Sequence, residues 1–258
     1  MNPKKNRIPS LDIIRGFALV NMIFYHFLYD LVYIFGQQVS WFSIRKGFVW
    51  QQMICATFIV ISGISFNLSR KPQKNGFVLL FCAAILTTVT FFVIPNEWIL
   101  FGILHFMAVA VFFTLLLRPL LNRIPARIGL PVALLLYIFL RNMPAGYLSF
   151  FSWWQWRLPS GLYQTPYLFF IGLPHQSFSS ADYFPLFPWW FLYLAGFYGA
   201  DYYFKLSAFL KGKCSLTDKK IYKALNLTFG LMGRRSLIIY MLHQPILYGL
   251  LFLVYFFS

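Results

Sequence analysis

Long apolar stretches alternate along the chain with short polar connections, and seven of them have the length of a membrane span. A helix needs about 20 consecutive apolar residues to cross a bilayer. A further stretch, 161–173, is shorter and lies between Pro159 and Pro174, which favours a re-entrant or interfacial segment. The pattern predicts an all-α fold, a polytopic transmembrane helix bundle in a single domain over residues 1–258. The predicted spans are 11–36, 47–69, 76–95, 97–118, 126–142, 184–204 and 236–257.

The composition also indicates a membrane protein. Hydrophobic residues make up 60% of the chain and charged residues 11%, and the mean hydropathy is +0.67. These values lie outside the range of soluble domains. Cytoplasmic loops carry an excess of basic residues, so we predict an integral plasma-membrane protein with a cytoplasmic N-terminus. This orientation leaves only four of the 22 Lys and Arg residues outside, namely Arg45, Lys46, Arg141 and Arg157.

The first predicted span carries ionisable residues on one face. His26 follows Arg15 by eleven positions, which on a helix returns to within about 20° of the same direction, roughly 17 Å further along the axis. Asp12 and Asp30 lie within about 60° of that line. Asp12 is also three residues before Arg15, a spacing that favours an ion pair. Because ionisable side chains inside a membrane are costly, this stripe predicts a functional site.

Two other histidines lie in predicted spans, His105 in the fourth and His243 in the last. A single histidine in a membrane helix often forms a hydrogen bond to a neighbouring helix, so a structural and a functional role are both open for each. The sequence has no HExxH motif, and Cys55, Cys82 and Cys214 do not have the spacing of metal ligands. We therefore predict no metal.

The net charge of +16 comes mainly from the predicted cytoplasmic side. Basic residues there commonly fix topology and attract anionic lipids, and some are suited to hold a phosphorylated donor such as a nucleotide or coenzyme A. The sequence has no GxxxxGK[ST] loop and no GxGxxG turn after a strand, which excludes a soluble nucleotide-binding domain. We expect membrane lipids, but no nucleic acid, among the partners.

The predicted outer connection, 143–183, is long and aromatic, and it includes Trp153, Trp154 and Trp156. Aromatic belts at the membrane surface explain part of this enrichment. The alternative is that the flat rings stack on the sugars of an external acceptor.

Three motifs, in order along the chain, resemble those of the membrane-integral type-3 acyltransferases. The first, LDIIR at residues 11–15 with His26, resembles their D-x-x-R…H signature, in which the arginine and histidine are the essential pair. The second is FIVISG at residues 58–63, and the third is GRRSLIIYMLHQP at residues 233–245. The first motif and GILH at residues 102–105 also resemble the related heparan-α-glucosaminide N-acetyltransferase-like proteins.

This resemblance implies a transmembrane acyltransferase that moves an acetyl group from cytoplasmic acetyl-CoA to an amine or hydroxyl of an extracytoplasmic saccharide or glycolipid. The chemistry of attack on a thioester independently suits His26 to act as the catalytic base and Arg15 to hold the donor phosphates, with Asp30 orienting the imidazole or contacting the acceptor. Ser62, Asn21 and His105 are candidates for stabilising the oxyanion. The residues expected to help Arg15 bind the donor are Asp12, Ser62, Arg234, Arg235 and His243.

A proton-coupled transporter or a flippase for lipid-linked sugars is the alternative, because such proteins also need buried His, Arg and Asp. Their typical signs are paired half-repeats and broken helices. The sequence has no internal repeat, although Pro159 and Pro174 leave a broken helix open. A retinal-type photoreceptor is excluded because the last span, 236–257, contains no lysine.

Overall fold

The computed structural model describes residues 8–151, 153–212 and 216–257, so Cys214 lies outside the described residues. The described chain is helical apart from short turns and one β-hairpin, and the predicted all-α polytopic bundle is confirmed. The helices are α1 (Pro9–Tyr29), α2 (Ile44–Leu68), α3 (Pro72–Val93), α4 (Ile103–Leu121), α5 (Ala126–Leu140), α6 (Leu186–Gly212), α7 (Leu216–Leu227), α8 (Phe229–Arg234) and α9 (Ser236–Phe256). The hairpin strands are β1 (Tyr147–Phe150) and β2 (Trp154–Arg157).

Six helices in the described part of the chain are long and apolar enough to cross a membrane, namely α1 to α5 and α9. The predicted span 184–204 falls in α6, a helix rich in Trp, Tyr and Gly that also carries Asp201 and Lys205, and it does not reach the same apolarity. The fourth span begins later than predicted, because Pro95–Glu97 forms a 3₁₀ turn and α4 starts only at Ile103. The sequence pattern thus locates the helices but overestimates the apolarity of one.

The connection between α5 and α6 contains turns and a hairpin rather than a partial helix. In the segment predicted over 161–173, the structure has two 3₁₀ turns, Ser160–Tyr163 and Leu168–Ile171. Strands β1 and β2 pair antiparallel, with Tyr147 opposite Arg157. The prolines of this connection account for its short elements, because proline lacks a backbone N–H and does not continue a helix.

The chain forms two compact units, Met1–Phe58 with Lys205–Ser258, and Ile59–Phe204. In the first unit α1 packs against α8 and α9. The apolar core of this unit lies largely along α1 and includes Leu19, Met22 and Leu28. The packing of this core sets the orientation of α1, and with it the direction of the face that carries the ionisable residues.

Two motif glycines allow α1 and α8 to meet backbone to backbone. A Cβ atom on Gly16 of α1 would lie 1.9 Å from the carbonyl oxygen of Phe229. A Cβ atom on Gly233 of α8 would lie 1.9 Å from the carbonyl oxygen of Asp12. Both distances are far below van der Waals contact, so only glycine fits at either position, as at other close helix crossings in membranes.

The second unit contains an equivalent crossing between α2 and α6. A Cβ atom on Gly63 of α2 would lie 2.0 Å from the carbonyl oxygen of Tyr193, and one on Gly196 of α6 would lie 2.1 Å from that of Val60. Gly63 is the last residue of the second motif. Gly16 directly follows the LDIIR string of the first motif, and Gly233 is the first residue of the third. Each of the three motifs is therefore associated with a glycine at a close crossing of two helices.

The start of α4 in the second unit is held by the segment that precedes α6. The first backbone N–H of α4, at Ile103, donates a 3.0 Å hydrogen bond to Oδ2 of Asp182. The N–H of Leu100 donates to the hydroxyl of Ser180. A carboxylate at a helix N-terminus satisfies a free N–H and interacts favourably with the helix dipole. Gly102 makes room for it, since a Cβ there would lie 2.6 Å from Oδ2 of Asp182.

Asp182 provides a test by pH. Burial raises the pKa of its carboxyl from 3.8 to about 6, against the opposing effect of the hydrogen bond from Ile103. The folded protein then binds this proton more tightly than the unfolded chain, so the stabilising contribution is complete below about pH 4 and is lost as the pH rises through about 6. We expect Asp182→Asn, which keeps an acceptor for Ile103, to remove this dependence. Its stability relative to wild type should rise between about pH 4 and 7 by on the order of 2 kcal/mol.

Thermal unfolding in detergent across this pH range measures the difference in stability between wild type and Asp182→Asn. The contributions of all other titrating groups cancel in this difference. A difference that stays constant with pH would contradict the role of Asp182.

Candidate active site

The N-terminal half of α1, which is predicted to face the cytoplasm, contains an ion pair. Nη1 of Arg15 lies 3.2 Å from Oδ1 of Asp12, as the spacing of three residues predicts. Asp12 is buried, while Arg15 is partly exposed. The backbone carbonyl of Asp12 faces Gly233 of α8, so the first and third motifs meet directly beside this pair.

Higher on α1, His26 lies against His243 of α9. The centroids of the two imidazole rings are 4.9 Å apart, with the rings edge to face. His26 also contacts the ring of Tyr25. The structure thus brings together two residues that the sequence analysis singled out separately, one from the first motif and one from the third.

A hydrogen bond fixes the tautomer of His243. Its Nδ1 lies 2.6 Å from the carbonyl oxygen of Tyr240. A carbonyl oxygen only accepts, so Nδ1 carries the proton and Nε2 of the neutral ring has a free lone pair. Nε2 is buried and has no hydrogen-bond partner in the described part of the chain. His243 therefore presents a basic nitrogen to which no described residue donates a hydrogen bond.

Asp30 is held by Gln244, the residue after His243. The side-chain amide Nε2 of Gln244 donates to both carboxylate oxygens of Asp30, at 2.9 and 3.1 Å. Asp30 is fully buried. The other end of the Gln244 amide, Oε1, is buried without a partner among the described residues. The structure thus places the predicted site residue Asp30 against α9.

Gln244 is a site residue that the sequence analysis missed. The only signal was its position in the third motif, immediately after His243. An amide has no titratable proton and no typical catalytic spacing, so its role becomes visible only when α1 and α9 are packed together.

The helical geometry changes at Asp30. Residues Asp30–Ile34 form a π-helical turn that continues α1. At a regular 100° per residue, Tyr33 would lie within about 60° of the line through Arg15 and His26. This spacing does not hold through a π-helical turn. Accordingly Asp30 is fully buried whereas Tyr33 is 43% exposed. Single π-helical turns within α-helices are frequent at functional sites.

The predicted donor-binding arginines lie at the junction of α8 and α9. Arg234 donates from Nη1 to Oδ1 of Asn226, at 3.1 Å. Arg235 is exposed and precedes the first residue of α9. Their role in donor binding stays a prediction.

Two predicted site residues, Ser62 and His105, belong to the second compact unit. Nε2 of His105 lies 3.3 Å from the hydroxyl of Thr87, which itself donates to the carbonyl of Ile99. The hydroxyl proton is thus used, and His105 is the donor to Thr87. This contact joins α4 to α3, which fits the structural alternative for His105. Its catalytic role, like that of Ser62, stays a prediction.

Asn21 of the first unit, a candidate for the oxyanion, already has partners. Its Nδ2 donates to the carbonyl of Phe17, and its Oδ1 accepts from Nε1 of Trp50. Within the described residues, no group of three or more His, Cys, Asp or Glu side chains has the arrangement of a metal site.

The connection between α5 and α6 forms a polar cavity in the second unit. Its volume is about 930 Å³, within the range of small-molecule sites. The rings of Tyr163 and Tyr183 are held by hydrogen bonds from their hydroxyls to the carbonyls of Met143 and Phe169. The polar side chains that line the cavity include Arg157, Ser160, Tyr163, His175, Ser179 and Tyr183.

A family model described as "Heparan-alpha-glucosaminide N-acetyltransferase, catalytic" matches residues 7–245 of the chain. The match covers nearly the whole chain and includes all three motifs. No curated protein and no solved structure matches the chain.

Proposed function

We infer the function from the family: the chain belongs to the heparan-alpha-glucosaminide N-acetyltransferase catalytic family, and with its apolar helices it is an integral membrane protein of an acyltransferase family. We propose that it transfers an acetyl group from cytoplasmic acetyl-CoA to an amine or hydroxyl of an extracytoplasmic saccharide or glycolipid.

The observation that carries this proposal is the contact between His26 and His243. Attack on a thioester needs a base for the proton of the nucleophile and a hydrogen-bond donor for the oxyanion that develops on the acetyl carbonyl. A neutral imidazole is suited to either task. Two imidazoles with ring centroids 4.9 Å apart, on two helices that belong to two motifs, supply both tasks in one place.

The ion pair of Arg15 and Asp12 supports a donor site on the cytoplasmic side of these imidazoles. An arginine binds phosphate oxygens through two parallel N–H groups. The axial distance from Arg15 to His26, roughly 17 Å, resembles the reach of an extended pantetheine arm, so phosphates held at Arg15 would leave the thioester near His26.

We expect Arg15→Ala to weaken the binding of coenzyme A by about 10- to 100-fold, which corresponds to one or more charge-assisted hydrogen bonds. Arg15→Lys should have an intermediate effect, because lysine keeps the charge but not the two parallel donors. Isothermal titration of purified protein in detergent measures the affinity. The matched control is Lys74→Ala, which removes an exposed basic residue from α3; equal losses in both alanine variants would contradict a specific phosphate role for Arg15.

The polar cavity between α5 and α6 supports a saccharide acceptor. Polar groups from serine, tyrosine, histidine and arginine side chains line it, and its tyrosine rings are fixed in place. Flat rings and hydrogen-bonding side chains are the usual means of binding sugars.

The proposed orientation places the N-terminus in the cytoplasm. We expect cysteines introduced at Lys71 and Lys219 to react with a membrane-impermeant reagent only from the cytoplasmic side, and a cysteine at Gln155 only from the outside. All three residues are exposed. Labelling of positions 71 and 155 from the same side would contradict the proposed topology and the cytoplasmic donor entrance.

The direct test is acetyl transfer by the purified protein. We expect it to move labelled acetyl from acetyl-CoA to methyl α-glucosaminide, with release of the coenzyme A thiol. Methyl α-glucoside has a hydroxyl in place of the amine, so comparing the two acceptors separates amine from hydroxyl transfer. If neither saccharide is acetylated and no thiol is released, the proposed function is wrong.

A further inference from the structure

Two neighbouring side chains of α9 present buried hydrogen-bond acceptors that have no partner among the residues the structure describes. One is Nε2 of His243, and the other is Oε1 of Gln244. In each case the opposite end of the same group is used: Nδ1 of His243 faces the Tyr240 carbonyl, and the Gln244 amide nitrogen donates to Asp30. Both side chains are therefore fixed in orientation while one acceptor on each stays open.

Open acceptors of this kind are costly and rare. Buried polar groups in folded proteins are nearly all hydrogen-bonded, so each exception calls for an explanation, and a role in catalysis is one of them. Since both open atoms are acceptors, the group that completes them must be a donor. The thioester group itself has no hydrogen-bond donor, whereas an attacking amine has two N–H groups, one for each open atom, and an attacking hydroxyl has one O–H for His243.

We infer that His243 and Gln244 receive the attacking group of the acyl acceptor, and that His243, rather than His26, takes its proton. This inference rests on the proposed acetyl transfer and goes beyond it by assigning the base. Gln244 is a positioning residue: its amide, held by Asp30, directs Oε1 to the attacking group.

The transfer step balances with these residues. The lone pair of the attacking nitrogen or oxygen forms a bond to the acetyl carbonyl carbon while its proton passes to Nε2 of His243. The bond between carbon and sulfur then breaks, and the thiolate of coenzyme A takes the proton back from the His243 imidazolium. His26, whose ring packs against that of His243, then donates a hydrogen bond to the oxyanion.

The test separates a base from a structural histidine. Asparagine places an amide N–H close to the position of Nδ1, so His243→Asn keeps a donor for the Tyr240 carbonyl but has no base at Nε2. We expect the rate of acetyl transfer to methyl α-glucosaminide to fall about 10²- to 10⁴-fold, with the affinity for coenzyme A and the unfolding midpoint close to wild type. Leu242→Ala, a change at an exposed position of the same helix, should keep the wild-type rate.

The pH profile distinguishes the two histidines. We expect the rising limb of the rate with pH, which reports the base, to persist in the residual activity of His26→Asn and to vanish in His243→Asn. Added imidazole should restore part of the rate of His243→Ala, because it supplies a base in the space left by the side chain. Gln244→Met should raise KM for the saccharide about tenfold and leave KM for acetyl-CoA unchanged.

An active wild type whose His243→Asn variant keeps its rate within about twofold, or keeps the rising limb, would overturn this inference and leave the proposed function intact. A wild type that transfers no acetyl group would overturn both.

Discussion

We expect His26→Ala to lower acetyl transfer by at least about 100-fold while the protein still folds and binds coenzyme A. His26 shares a helix face with Arg15 and contacts His243, but Arg15 and its partner Asp12 lie roughly 17 and 21 Å away along the helix. Removing the imidazole therefore removes one of the two chemical tasks without disturbing the predicted phosphate site. Loss of a single oxyanion donor or a single general base has an effect of this size. Steady-state kinetics with acetyl-CoA and methyl α-glucosaminide measures it.

The matched control is Phe24→Ala, which removes a similar ring two residues earlier, at a position that is 48% exposed. Its rate should stay near that of wild type. Equal rates in wild type and His26→Ala would show that His26 is not part of the chemistry.

Incubation with acetyl-CoA and no acceptor separates direct transfer from an acetyl-imidazole intermediate. We expect no acetyl adduct in the intact mass, because direct transfer needs both substrates together.

The second large effect is expected on folding, at the crossing of α1 and α8. Gly233→Ala and Gly16→Ala each place a methyl group 1.9 Å from a backbone carbonyl oxygen of the opposite helix. The backbone cannot move aside locally, so α1 and α8 must move apart to make room. Overpacking of this kind costs about 1–3 kcal/mol and occasionally more. We expect each variant to lose the monodisperse folded protein or to lower its unfolding midpoint strongly. The double variant should cost less than the sum, since the first change already separates the helices.

Gly249→Ala in α9 is the matched control. Beyond the local backbone of α9, no atom of the described residues lies within 4 Å of the Cβ that this change adds, so the higher helix propensity of alanine should leave stability unchanged or raise it by up to about 1 kcal/mol. Similar losses of stability at positions 16, 233 and 249 would contradict the close crossing as their cause.

The helices and the family were accessible from the sequence because both depend on local patterns. Stretches of about 20 apolar residues are read directly, and the spacing of Asp12 and Arg15 predicts the ion pair that the structure contains. Periodicity also places Arg15 and His26 on one face of α1. The assumption of regular α-helical geometry was wrong at the end of α1, because the π-helical turn at Asp30 displaces Tyr33 from that face.

The partners of the site residues were not accessible, because they depend on which helices meet. The amide of Gln244 reaches Asp30 across 214 positions of sequence, and nothing in the local pattern of either residue indicates the other. The tautomer of His243 likewise depends on a backbone carbonyl, which every residue has. The glycines at the motifs can be read from the sequence, but their role in helix contacts is recognised only when the backbone of the opposite helix is known.

The π-helical turn at Asp30 has a consequence for how the length of this chain can vary. A turn of this type contains one residue more than an α-helical turn, so it behaves as a single-residue insertion absorbed at the end of the first span. Deleting one residue within 31–33 should convert it to an α-helical turn and leave the residues that follow in the same direction relative to His26. Insertions and deletions are usually tolerated in loops and excluded from helices; at this helix end, the residue count after Asp30 is expected to tolerate a change of one.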